Sequence, residues 1–129
     1  VVNLVLAGAA RTAAAGAGYL GVFSSTAGHG FDSSAGVPYT ASKWAVHGLL
    51  FTARPQLSAH GIVVSEYAPG EANTPLVEQR PVQPEEEHRS AMIQTEDCGD
   101  ALFFIANHPH SVSLIQLPVY QPFGGMPPG

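Results

Sequence analysis

A chain of 129 residues with 45% apolar and only 12% charged residues holds one domain at most, and it has too few charges to be a disordered chain. Its net charge of −5, with five Lys and Arg in all, argues against a nucleic-acid or anionic-membrane partner, and no apolar run reaches the roughly 18 residues of a membrane span. The single Cys98 rules out an internal disulfide and fits a reducing, cytoplasmic compartment. Residues 1–6 lack the charged region of a signal peptide and an initiator Met, so the chain is expected to be processed or cut from something longer.

Residues 3–15 end in an Ala-rich run, which predicts a helix because Ala is the best helix former. Gly16-Ala17-Gly18 should stop it. Residues 16–21 also spell Gly-x-Gly-x-x-Gly. A dinucleotide fingerprint needs a strand before it and a helix after it, whose N-terminus takes the pyrophosphate. Here the order is reversed, and the run reads as a helix stop. Tyr19-Leu20-Gly21-Val22-Phe23-Ser24 is a short apolar run of the kind a buried parallel strand shows. It leads into small polar residues, Ser24-Ser25-Thr26-Ala27-Gly28, at the strand end where open α/β sheets take ligands.

A second helix should start near Pro38 and run to about Arg54, where Pro55 is expected to kink or end it. It carries two apolar stripes, Trp44, Ala45, Gly48 and Leu49 on one side and Val46, Leu50, Ala53 and Leu57 on the other. A helix apolar on two sides is covered on two sides, by the sheet and by a further helix or a partner subunit. Residues 61–67 form the clearest strand, β-branched and bounded by Gly61 and Pro69-Gly70. A polar loop with Thr74-Pro75 follows, then a short helix from the acids at 85–87 to about Ala91. Thr95 reads as the N-cap of a helix ending near Asn107. Residues 112–119 predict a last strand, placed at an edge by Pro118, and residues 121–129 a Pro- and Gly-rich tail. Helices alternating with strands predict a doubly wound parallel α/β sheet.

The chemistry-bearing feature is Tyr39-Thr40-Ala41-Ser42-Lys43. Residues four apart on a helix share a face, one turn apart. An ammonium held near a phenol favours the phenolate, and a phenol so tuned can exchange a proton with a carbonyl or alcohol oxygen. Taken alone, the pair reads more readily as an incidental surface helix start, and its neighbours must decide. The six His (29, 47, 60, 88, 108 and 110) show no metal-ligand spacing with Cys98, and no metal is expected.

Read together and in order, Ser24-Ser25-Thr26-Ala27-Gly28, Tyr39-x-x-x-Lys43 and Ala68-Pro69-Gly70 with Thr74 resemble the carboxyl-terminal part of a short-chain dehydrogenase/reductase. The resemblance covers most of residues 1–120. It implies an incomplete Rossmann-like sheet of about three strands with crossover helices, and an oxidoreductase that interconverts an alcohol and a carbonyl with NAD or NADP. In it Tyr39 would be the general acid/base, and Lys43 would favour the phenolate and hold the nicotinamide ribose. Ser25, or alternatively Ser24, would hydrogen-bond the substrate oxygen. Asn3 would hold a water linked to Lys43, unless it serves as a helix cap. Pro69, Gly70 and Thr74 would line the nicotinamide side. The family's Gly-rich cofactor half is not present, so a non-catalytic remnant acting as a dimerising module is the alternative. A homodimer or homotetramer is the assembly the family implies.

Overall fold

The computed structural model describes residues 2–30, 35–107 and 116–120. In chain order it runs helix α1 (Val2–Ala14), strand β1 (Gly18–Phe23), a 3-10 turn (Thr26–Gly28), helix α2 (Val37–Ser58) and strand β2 (Ile62–Pro69). A second 3-10 turn (Pro75–Gln79), helices α3 (Glu86–Ala91) and α4 (Thr95–Ala106) and strand β3 (Gln116–Val119) complete it. The strands form one parallel sheet in the order β1-β2-β3. Parallel neighbours require crossover connections; α2 supplies the first, and α3 with α4 the second. This is the expected incomplete, Rossmann-like α/β fold.

The register sets Gly18 opposite Ile62 and Phe23 opposite Tyr67, and then Glu66 opposite Gln116 and Pro69 opposite Val119. β2 lies between two neighbours and is buried along nearly its whole length, as its β-branched start suggested. Its alternate residues Ile62 and Val64 meet Val5 of α1 and Leu50 of α2 in the core, with Leu20, Val22, Val46 and Leu57 packed around them. Tyr67, on the opposite face, takes Phe23 edge-on at 5.1 Å between ring centroids. β1 pairs on one side only, so the apolar strand is an edge of the sheet formed by the described residues, as the sequence implied.

The turns leading into β1 and β2 need glycine. Gly16 adopts φ +77 just past α1, where it ends the helix rather than opening a phosphate loop. Gly61 adopts φ +71, and a Cβ there would stand 2.8 Å from the Gly16 carbonyl oxygen, so two glycine turns meet at the amino end of the sheet.

Two expectations are corrected. α2 does not end at Arg54; it passes through Pro55 to Ser58. Proline at this position removes the bond to the Phe51 carbonyl, but Phe51 and Pro55 are both exposed, where water can replace it, while Leu57 beyond them packs on the core. The N-cap of α4 is Gln94 rather than Thr95: the Asp97 carboxylate accepts the Gln94 N–H at 2.9 Å. The strand expected over 112–119 is present from Gln116, with Pro118 on an edge strand; residues 112–115 and the tail 121–129 lie outside the described residues. Among the described residues no helix is long and apolar enough to cross a membrane.

Candidate active site at the carboxyl end of the sheet

Because all three strands are parallel, their carboxyl ends share one edge, and most of the expected site residues gather there. Ser24 and Ser25 follow β1 directly, Pro69 closes β2, and Gly70 gives its N–H to the Val119 carbonyl at 2.7 Å. Ser24 is tied to the sheet by its own N–H, which donates to the Tyr67 carbonyl at 2.8 Å. Ser25 caps the 3-10 turn: its Oγ accepts the Ala27 N–H at 3.2 Å, and the residue is 7% exposed. The Ser24 Oγ is buried without a hydrogen-bond partner. Thr74 caps the turn at Pro75–Gln79 with its backbone carbonyl, while its hydroxyl makes no capping bond.

Tyr39 and Lys43 occupy the first two turns of α2, which begins at Gly36 with φ +76. The Lys43 ammonium lies 5.3 Å from the Tyr39 ring centroid, on its face, and donates to the Ser24 carbonyl at 3.1 Å. One cation thus joins the tyrosine to the serine turn. Gly28 makes this approach possible. A Cβ on it would stand 2.7 Å from the Lys43 carbonyl oxygen, so any larger residue would force the serine turn away from α2. The contact is between backbone and side-chain positions 15 residues apart in sequence numbering (28 to 43), and no local pattern announces it. Asn3 lies exposed in the first turn of α1; the hydrogen bond described for Lys43 goes to Ser24, not to Asn3.

Beneath this rim the structure assembles residues that no spacing along the chain groups together. Glu66 is fully buried on the α2 face of β2. His29 Nε2 donates to its Oε1 at 3.1 Å, His47 Nδ1 to its Oε2 at 3.0 Å, and Gln116 Nε2 to Oε2 at 3.2 Å. Burial pushes the Glu66 carboxyl upward, but hydrogen bonds from His47, Gln116 and His29 outweigh it and hold the group below the usual carboxylate range. The Tyr39, Lys43 and His47 positions are spaced by four on one helix face, so the cluster continues the Tyr39–Lys43 stripe inward.

The loop after β2 is closed by a separate polar network. Glu71 pairs with Arg80 and with His88, Asn73 Oδ1 accepts from the Arg89 guanidinium at 3.2 and 3.3 Å, and Asn73 Nδ2 donates to Gln94 at 3.2 Å. An isolated parallel bridge from Ala72 to Ile93 fixes its two arms.

A parallel sheet with crossover helices, a serine turn and a helix-borne Tyr–Lys pair at its carboxyl edge defines a protein of the open α/β class, in which ligands sit at that edge. Within this class, a family model described as short chain dehydrogenase matches residues 1–85, and the chain belongs to that family. Solved structures agree. A 3-oxoacyl-[acyl-carrier protein] reductase from Brucella melitensis superposes with a TM-score of 0.77 at 23% identity, covering 93% of this chain and 47% of its own. A short chain dehydrogenase from Mycobacterium paratuberculosis bound to NAD gives 0.73 at 29% identity, covering 92% and 50%. A metagenomic short-chain oxidoreductase in complex with NADP gives 0.67 at 26%, covering 94% and 46%. The chain therefore spans about half the length of the solved relatives it matches. A search of curated proteins found no match.

Proposed function

We propose that the chain is the carboxyl-terminal, catalytic half of an NAD(P)-dependent oxidoreductase that interconverts an alcohol and a carbonyl. The observation that carries this reading is the Lys43 ammonium, held between the Tyr39 ring and the Ser24 carbonyl at the carboxyl edge of the sheet. Tyr39, at 36% exposure, can reach a substrate from solvent and exchange a proton with its oxygen. Lys43 places a positive charge over the Tyr39 ring, 5.3 Å from its centroid. Ser25 donates its hydroxyl hydrogen to the substrate oxygen, and this bond strengthens as negative charge develops there. Its Oγ already accepts from Ala27, which leaves the hydroxyl hydrogen free to point outward. Asn3 is assigned the water-holding role on resemblance alone.

The donor set at this edge suits a nicotinamide cofactor. Lys43 and Tyr39 would hold its ribose, Pro69 and Gly70 would bound the ring, and the uncapped Thr74 hydroxyl would reach its phosphate side. When bound, such a cofactor supplies or accepts the hydride. The adenosine and pyrophosphate sides would come from a cofactor-binding half beyond residues 1–129, next to the open edge of β1. We assign the protein to the cytoplasm, and a homodimer or homotetramer to the outer side of α2, where Trp44 and Phe51 are exposed. That same apolar face favours a second reading, a family remnant that serves only as a dimerising module.

A nicotinamide absorbance assay of the whole protein that carries this chain, against a panel of small alcohols and carbonyls with NAD and NADP, separates the two. Turnover with either cofactor supports the enzyme. A dimer that neither binds a nicotinamide nor turns over any member of the panel supports the module and overturns the enzyme.

A further inference from the structure

The His29–Glu66–His47 cluster plays no part in the alcohol–carbonyl chemistry, and its donor atoms suggest a second site. Two imidazole nitrogens and a carboxylate converge from the 3-10 turn region, α2 and β2, and all three offer ligand atoms within 4.8 Å of one another. Two His and one Glu form a recognised three-ligand set for Zn²⁺, leaving a further position open. At metal–ligand distances of about 2.0–2.1 Å, tetrahedral donors stand about 3.3 Å apart. The 3.1 Å from His29 Nε2 to Glu66 Oε1 and the 3.0 Å from His47 Nδ1 to Glu66 Oε2 place one ring nitrogen at each carboxylate oxygen, so both oxygens face the gap that a metal would occupy. The two rings face one another at 4.4 Å between centroids, tilted by 59°.

Supporting contacts hold the donors in place. Gln116, from β3, donates to Glu66 Oε2 and so fixes the carboxylate rotation. Trp44 meets the His47 ring edge-on at 6.2 Å, and Phe51 lies at 6.4 Å on the same helix. The Ser24 Oγ is a further buried polar atom without a hydrogen-bond partner. The carboxylate is fully buried, whereas His29 and His47 are 19% and 23% exposed, which leaves a way in from solvent.

We propose that His29, His47 and Glu66 form a binding site for a divalent transition metal of the zinc type, between α2 and the sheet and beneath the Tyr39–Lys43 rim. Each ring gives an N–H to the carboxylate. To ligate, each ring presents the nitrogen facing Glu66 without its proton and keeps a proton on the other one, His29 Nδ1 or His47 Nε2. The site is independent of the oxidoreductase reading and would survive its failure.

The test is titration of the chelator-treated full chain with Zn²⁺, and with Co²⁺ as a spectroscopic probe, read by bound-metal analysis and the visible Co²⁺ bands. We expect one equivalent per chain, low-symmetry nitrogen–oxygen bands without a thiolate charge-transfer band, and a rise in Tm with Zn²⁺. His29→Ala and His47→Ala should each weaken binding about tenfold or more, while His88→Ala and Cys98→Ser leave it unchanged. His29 lies in a connecting turn, so His29→Ala keeps the test alive should His47→Ala unfold; far-UV circular dichroism checks this. No stoichiometric metal, binding indifferent to His29, or binding lost with Cys98 or His88 would each overturn the proposal.

Discussion

The interface between α2 and the sheet has two ends of opposite character, although one helix and one strand build both. Towards the amino end of β2, Ile62 and Val64 face Leu50, Val46 and Leu57 in a dry contact, and Leu50 is fully buried. One strand alternation further, the same face presents Glu66, and one helical turn before Leu50 the same helix presents His47 and then Lys43. The dry end needs only volume and burial. The polar end needs each group paired, because a buried carboxylate without partners would be expelled or neutralised. The contrast shows how the fold can hold a charged centre at the carboxyl edge: the apolar end anchors the helix, and the polar end is positioned by that anchor.

The largest expected effect is at the dry end. Leu50→Ala should cost about 2–5 kcal/mol of folding stability through lost burial and the cavity left behind, read as a lower urea midpoint at unchanged m. At the polar end Glu66→Ala should cost about 2–3 kcal/mol, because it strands the N–H groups of His29, His47 and Gln116. A cost as small as that of a surface change would mean that the two ends do not differ as described. Gly28→Ala should cost about 1–2 kcal/mol and lower activity more than its stability loss explains, since it pushes the serine turn off the Lys43 backbone.

The polar end should also respond to acid. Glu66 is held below the ordinary carboxylate range, so its contribution is full above the unfolded-state value of about 4.3 and is lost as pH falls through the folded-state value. Acid unfolding of the wild-type chain should therefore be steeper than that of Glu66→Gln in the region below about pH 4; parallel curves would show that Glu66 carries no such linkage. The smallest effect is expected in the exposed loop. Glu71→Gln should shift stability by no more than about 1 kcal/mol, because the Arg80 and His88 partners are largely solvated and screened.

What the sequence disclosed depended on distance along the chain. The Tyr39–Lys43 pair was legible because helical spacing alone places both on one face, and β2 was legible because β-branched residues fill a strand buried on both sides. Pro55 misled because a proline on the exposed side of a well-anchored helix costs one solvated bond rather than the helix. The Thr95 cap was displaced by one position because Asp97 reaches the Gln94 N–H, a choice among neighbouring polar residues that composition does not rank. The His29–Glu66–His47 cluster was invisible for a different reason. Its contacts span 37 and 19 residues and exist only once β2 lies beneath α2, so ligand spacing along the chain carries no trace of them. Gly28 was visible only as part of a motif; its role against the Lys43 carbonyl is a property of the packed backbone.

The central claim, that the Tyr39–Lys43 pair is the proton-handling centre of an alcohol–carbonyl oxidoreductase, is tested most directly by Tyr39→Phe in the whole protein. The substitution removes one hydroxyl from a residue at the helix surface and should leave circular dichroism and Tm unchanged. Nicotinamide-linked turnover should fall by about a hundredfold or more, in line with the loss of a positioned general acid/base. Turnover equal to wild type, in a protein equally well folded, would contradict the assignment.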